Sequence, residues 1–166
     1  MNRAKITNLI LWLWVLAVTF LMGGGVFEHS VLTPIWAGSP PESVTSWPHG
    51  VAQARFFGIV TPVILLISLA MLIAAWWMPP RVRKWALFAG LSFVAIGISS
   101  AVFFVPILQK TIGARGAGLS PEEITTLANQ FTTWNWARWI LMIGAWAAGL
   151  RALTLSRQTP LDSGNP

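Results

Sequence analysis

Residues 56–78 read FFGIVTPVILLISLAMLIAAWWM, a run of 23 residues without a single charged side chain. A helix needs about 20 residues to cross a hydrocarbon layer roughly 30 Å thick, because each residue advances it by about 1.5 Å. In lipid the backbone must satisfy its own hydrogen bonds, and a helix does so within one segment. This stretch therefore predicts a membrane-spanning helix.

Three more apolar runs lie outside this stretch, at 9–27, 85–108 and 134–150. The last helix is expected to begin earlier than its apolar run, because Ser120-Pro121-Glu122-Glu123 has the pattern of a capping box. The fold class predicted is all-α: an integral membrane four-helix bundle in one domain, 1–157, followed by a disordered tail, 158–166. The predicted helices are at about 9–27, 56–78, 85–108 and 121–155.

Composition supports a membrane setting and excludes some chemistry. Hydrophobic residues make up 55% of the 166 residues and charged residues only 10%, whereas a soluble domain has about 25% charged residues. The chain has no cysteine, which excludes thiol and disulfide chemistry. The net charge of +6 is interpreted as membrane topology and not as nucleic-acid binding, because the basic residues flank the apolar runs.

Charge asymmetry predicts the orientation. Seven basic residues fall on one side of the predicted helices and four on the other; the seven are Arg3, Lys5, Arg81, Arg83, Lys84, Arg151 and Arg157. Since cytoplasmic loops carry the excess of Lys and Arg, both termini are expected in the cytoplasm of a multi-pass protein of the cell (inner) membrane. The first run is expected to stay as a helix, because no small-x-small cleavage site follows it.

The first outer loop, 28–55, carries prolines and tryptophans that are unusual in a spacer. Pro34 and Pro48 restrict the backbone, and Trp36 and His49 lie beside them. We expect this loop to be structured and to fold back as a lid, with Trp36 and His49 as candidate substrate-binding residues.

Arg138 is the principal candidate for function. It lies within the outer leaflet, where an unpaired charge costs about 2.5–3.5 kcal/mol. Asn135 and Trp139 share its helical face, with Trp134 adjoining. Two interpretations stay open: the side chain extends to the headgroups, or it faces the other helices.

Glu28 and His29 come at the outer end of the first helix. If the first and fourth helices are neighbours, Glu28 pairs with Arg138, which lowers the energetic cost of both charges. Alternatively, Glu28 and His29 cap the helix at the water interface. Phe57, near the start of the second helix, is a candidate for an aromatic pocket, although such clusters also serve plain packing.

No metal site is predicted. His29, His49, Glu28 and Glu42 have suitable side chains for a metal, but their spacing matches no ligand motif. Haem ligation by the two histidines is disfavoured as well, because neither lies in the middle of a helix. The sequence leaves the cofactor unassigned.

Three segments resemble a known family: Gly23-Gly24-Gly25-Val26-Phe27-Glu28, Val105-Pro106-Ile107, and Trp134-Asn135-x-x-Arg138. Together they are similar to small four-helix membrane proteins that include the anthrone oxygenases. Characterised members of that family oxidise anthrones to anthraquinones with O₂. The chain departs from the family at Leu108-Gln109, where an Asn often follows the helix-three proline.

Two functions follow as expectations. The first is a membrane protein that binds a hydrophobic small molecule or lipid, and no nucleic acid, at its outer face. The alternative is a membrane oxygenase or oxidoreductase acting on an apolar aromatic or quinone-like substrate. In that case Arg138 and Asn135 would stabilise an enolate or phenolate oxygen, with Glu28 beside them, and His29 or His49 would act as the base.

Overall fold

The computed structural model describes residues 3–158, which form helices joined by short connections, without strands in that range. The predicted tail lies outside the described residues, apart from its first residue, 158, which is helical. Four helices are long and apolar enough to cross a membrane, judged by length and composition. In chain order, the first to fourth long helices are Arg3–Trp36, Gly50–Trp77, Pro80–Gly113 and Pro121–Gln158.

All four long helices extend beyond their apolar runs. Polar residues at the ends continue the helices, so the connection between the first two helices is shorter than the predicted loop 28–55. It covers only residues 37–49 and includes one helical turn, Glu42–Thr45. The turn between the second and third long helices is tighter still, with a 3-10 turn at Ala75–Trp77 followed by Met78 and Pro79.

Two π-helical turns, Glu28–Leu32 and Ser100–Phe104, lie just before prolines. Pro34 and Pro106 lack an N–H group and clash with the carbonyl four residues back. A π turn is wider than an α-helical turn. In these two turns the Thr33 N–H donates to the Glu28 carbonyl and the Val105 N–H donates to the Ser100 carbonyl, which leaves room for the proline rings. The third long helix therefore continues past Pro106, through a further π turn at Gln109–Gly113. Its predicted end near residue 108 was too early.

The start of the fourth long helix confirms the capping box. Ser120 N–H donates to Glu123 Oε2 over 2.8 Å, and Glu123 N–H donates to Ser120 Oγ over 3.2 Å. The helix begins at Pro121 and continues for 38 residues without a break.

Each long helix packs against two others: the first and the third both contact the second and the fourth. Trp14 lies at the centre of their apolar core. Its indole N–H donates to Ser68 Oγ over 2.7 Å, and its ring meets Phe93 edge-on. The fourth helix passes this ring at Gly149, where any side chain would collide with it.

A second apolar cluster closes one end of the helices. We call it the cap; its buried members are Trp36, Val44, Trp47, Phe104, Ile107, Ile112, Ile124, Ala128 and Phe131. Phe131 joins its parts, because its ring contacts both Trp36 and Phe104. At the opposite end, Arg83 donates to the carbonyls of Ala75, Trp76 and Met78 and so closes the end of the second long helix.

Candidate functional site

A layer of buried polar side chains lies between the cap and the apolar core. Glu28 is only 2% exposed, and its Oε1 accepts hydrogen bonds from Thr33 Oγ1 at 2.9 Å and Gln53 Nε2 at 3.0 Å. The π turn brings Thr33 over Glu28, because residues five apart meet in such a turn. Burial excludes the interpretation of Glu28 as a water-exposed helix cap.

Asn135 extends this layer to the fourth long helix. Its side chain is fully buried, and its Nδ2 lies 3.4 Å from His29 Nδ1. The half-buried His29 ring also meets Trp136 edge-on, with ring centres 4.6 Å apart. The first and fourth long helices are therefore neighbours at this level, as the sequence prediction required.

Arg138 lies beside this layer. Its guanidinium carbon is 4.5 Å from the centre of the Phe104 ring, a distance at which a cation attracts an aromatic face. Glu28 is close enough to attract its charge. However, Glu28 Oε2 has no hydrogen-bond partner, so the expected pair is an attraction across a gap and not a direct hydrogen-bonded ion pair.

A small cavity lies next to Arg138, on the side of the apolar core. Its volume is about 30 Å³, enough for one or two water molecules. All four long helices contribute to its wall, which consists of Leu21, Gly25, Phe57, Thr61, Ile96, Ser100, Arg138, Trp139 and Met142.

The cavity wall is rich in hydrogen-bond donors and contains no acidic residue. Arg138 provides a guanidinium. Trp139 also contributes to the wall; it is 93% buried, and its indole N–H has no hydrogen-bond partner. Thr61 and Ser100 add hydroxyl groups. Because a buried donor without a partner costs about 1–3 kcal/mol, this wall is suited to an oxygen acceptor.

The structure brings six of the nine predicted site residues together, in two groups. Phe57, Arg138 and Trp139 line the cavity, and Asn135, Glu28 and His29 form the polar layer beside it. The remaining predicted residues lie elsewhere: Trp36 is buried in the cap, Trp134 is 57% exposed, and His49 is exposed beside Trp47.

Four polar members of the site were not predicted: Thr33, Gln53, Thr61 and Ser100. Gln53 lies three residues before the apolar run 56–78. If the second helix had been predicted to begin earlier, Gln53 would have been a candidate for a buried face of that helix. Single hydroxyl residues within apolar runs, such as Thr61, give no comparable signal, because a helix accommodates them through its own carbonyls.

Within residues 3–158, no group of three or more His, Cys, Asp or Glu side chains is placed to hold a metal ion. His29 belongs to the polar layer, whereas His49 packs against Trp47 in the connection between the first two long helices.

The fold and site together define an all-helical protein with four apolar helices long enough to cross a membrane and a small donor-lined cavity among them. No protein-family model, curated protein or solved structure matches this chain.

Proposed function

We propose that this chain is an integral membrane four-helix bundle that binds a hydrophobic small molecule or lipid through an oxygen atom held at Arg138. One observation carries the proposal: the half-buried Arg138 guanidinium, which has no hydrogen-bonded protein partner among the described residues, lines a cavity together with the hydroxyl groups of Thr61 and Ser100. An oxygen acceptor placed there recovers hydrogen bonds that the protein leaves unmade.

The surface of the second long helix supports the membrane setting. Ile59, Leu66 and Ile73 recur every seven residues and are 67%, 67% and 62% exposed. Residues seven apart lie on one helical face, so this helix presents a continuous apolar stripe. Such a stripe is favourable in lipid and a liability in water.

We place both termini in the cytoplasm and the cap outside the cell (inner) membrane. The seven basic residues of one side cluster at the end opposite the cap, whereas only four, Arg55, Lys110, Arg115 and Arg138, lie toward the cap. This distribution follows the positive-inside rule.

The test is to purify the protein in mild detergent and identify bound molecules by native mass spectrometry. The wild type is expected to retain a hydrophobic ligand that Arg138→Gln loses while keeping its helical circular dichroism. Arg55→Gln is the matched control, because Arg55 is an exposed arginine toward the cap that does not line the cavity. A ligand retained equally by Arg138→Gln, or none in the wild type, would contradict the proposal.

A second candidate is the oxygenase reaction, favoured by the position of His29. Its ring lies 6.2 Å, centre to centre, from that of Trp139, which lines the cavity. His29 would take a proton from the ring methylene of an anthrone, and Arg138 would hold the enolate oxygen, the one part of the substrate that enters the cavity. O₂ then converts the methylene to a carbonyl and releases water. Anthrone-dependent O₂ consumption that His29→Ala abolishes would support this function, and its absence in the wild type would reject it.

A further inference from the structure

The guanidinium of Arg138 has no hydrogen-bonded protein partner among the described residues. Glu28, the nearest source of negative charge, already accepts hydrogen bonds from Thr33 and Gln53 at its Oε1. An arginine binds two oxygens of one acceptor side by side, and the hydroxyl groups of Thr61 and Ser100 add further donors in the cavity wall. The complementary ligand group is therefore an anion with at least two oxygens.

The size of the cavity narrows the choice of anion. At about 30 Å³ it has room for one or two waters, which is comparable to the two oxygens of a carboxylate. A phosphodiester carries four oxygens and two substituents and would need a larger space. Size thus favours a carboxylate over a phospholipid headgroup.

The cap blocks direct access to the cavity from its own end of the long helices. Trp36, Phe104 and Phe131 form a chain of ring contacts across that end, with centres 5.2 and 5.6 Å apart. The opposite route leads through the apolar core around Trp14. An open route to the cavity must therefore lie between neighbouring helices.

Contacts between the second and third long helices are sparse at one place, which we call the gap. The two helices pack together along Pro80–Ser99 and again at Gln109–Gly113, where Gly50 closely approaches Ile112. The intervening π turn, Ser100–Phe104, has little contact with the second helix. Phe57, Thr61 and Ser100, all half-buried, border this gap and line the cavity.

We infer that the ligand is a long-chain carboxylate of the fatty-acid type, with its head at Arg138 and its chain leaving through this gap into lipid. The inference rests on the proposed binding function and specifies its ligand class and route. The hydrocarbon chain stays in an apolar environment, while the head gains donors that lipid tails lack.

The ligand class is tested with radiolabelled oleate and purified protein in detergent. Unlabelled oleate is expected to displace the label, whereas methyl oleate, oleyl alcohol and acetate are not. Arg138→Gln should weaken oleate binding by about 10- to 100-fold, the loss expected for charged hydrogen bonds, and Arg138→Lys should recover part of it. Displacement by methyl oleate would exclude a carboxylate-specific site, and displacement by acetate would identify a free small carboxylate as the ligand.

The route is tested by filling the gap. Ser100→Trp and Thr61→Phe, from opposite walls, are each expected to slow oleate association at least tenfold. Ile140→Trp is the control, because Ile140 is 71% exposed and lies outside the cavity wall. Unchanged association in both gap variants would overturn the route.

Failure of this inference differs from failure of the proposed function. If oleate does not bind but another co-purified hydrophobic molecule is lost in Arg138→Gln, the inference fails and the function stands. If Arg138→Gln changes neither oleate binding nor the co-purified molecules, both fail.

Discussion

The contact between Gly149 and Trp14 provides a sharp test of how the long helices pack. A Cβ atom at position 149 would stand 2.8 Å from Trp14 Cε3 and closer still to Cζ3. The indole ring is poorly able to move aside, because Trp14 is fully buried, bonded to Ser68 and packed edge-on against Phe93. We therefore predict that Gly149→Ala destabilises the fold.

The magnitude follows from comparison with Gly144 on the same helix, where an added Cβ would meet nothing within 4 Å. Both substitutions gain up to about 1 kcal/mol from the higher helix propensity of Ala. Only Gly149→Ala must also pay for overpacking, about 1–3 kcal/mol. The difference in unfolding free energy between the two variants is thus expected to be about 1–3 kcal/mol, with Gly149→Ala the less stable.

The assay is unfolding in mixed micelles with a rising fraction of sodium dodecyl sulfate, followed by circular dichroism. Gly149→Ala should unfold at a lower detergent fraction than the wild type, and Gly144→Ala at the same or a higher one. If the two variants unfold together, the fourth long helix does not press against Trp14, and the packing described above is wrong.

Two more predictions concern the core and the topology. Ser68→Ala leaves the buried Trp14 N–H without a partner and is expected to lower the unfolding free energy by about 0.6–1.7 kcal/mol, as for hydrogen bonds between membrane helices. The same detergent titration measures this loss, with Ser68→Thr as the control that keeps a hydroxyl group. Unchanged stability of Ser68→Ala would argue against the hydrogen bond. Because the chain has no cysteine, Thr45→Cys and Lys84→Cys each introduce a single thiol at an exposed site. An impermeant maleimide should label only Thr45→Cys in intact cells and both after lysis, and the reverse pattern would invert the proposed orientation.

The four long helices could be predicted because an apolar run of about 20 residues has few alternatives in lipid. The start of the fourth helix was also predictable, since Ser120 and Glu123 make a local hydrogen-bonding pattern that depends on nothing distant. Both features are encoded within a few neighbouring residues, which is why the sequence shows them.

The other helix ends could not be read in this way. A drop in hydrophobicity at Glu28 and at Gln109 suggested helix ends, yet both residues begin π turns inside longer helices. Glu28 stays buried because Thr33 and Gln53 satisfy one of its oxygens, and Gln53 comes from a different helix. Such a distant partner leaves no trace in local periodicity.

Trp36 was predicted to bind a ligand, whereas in the structure it belongs to the cap. In the sequence it appears as a tryptophan in a polar loop. In the structure it packs against Phe131, 95 residues later in the chain, and is fully buried. Apolar residues scattered over several short segments give no single periodic signal, so the cluster they form emerges only when the helices come together.

The fourth long helix has a mechanical consequence. As one unbroken helix of 38 residues, it is about 57 Å long, which exceeds the roughly 40–45 Å thickness of a whole bilayer. Its first turns belong to the cap, and Arg138 lies near its middle. A force that tilts the end of this helix at the cap also tilts the turn that carries Arg138, because no break between them absorbs the motion. The helix thus connects the cap to the cavity as one rigid element.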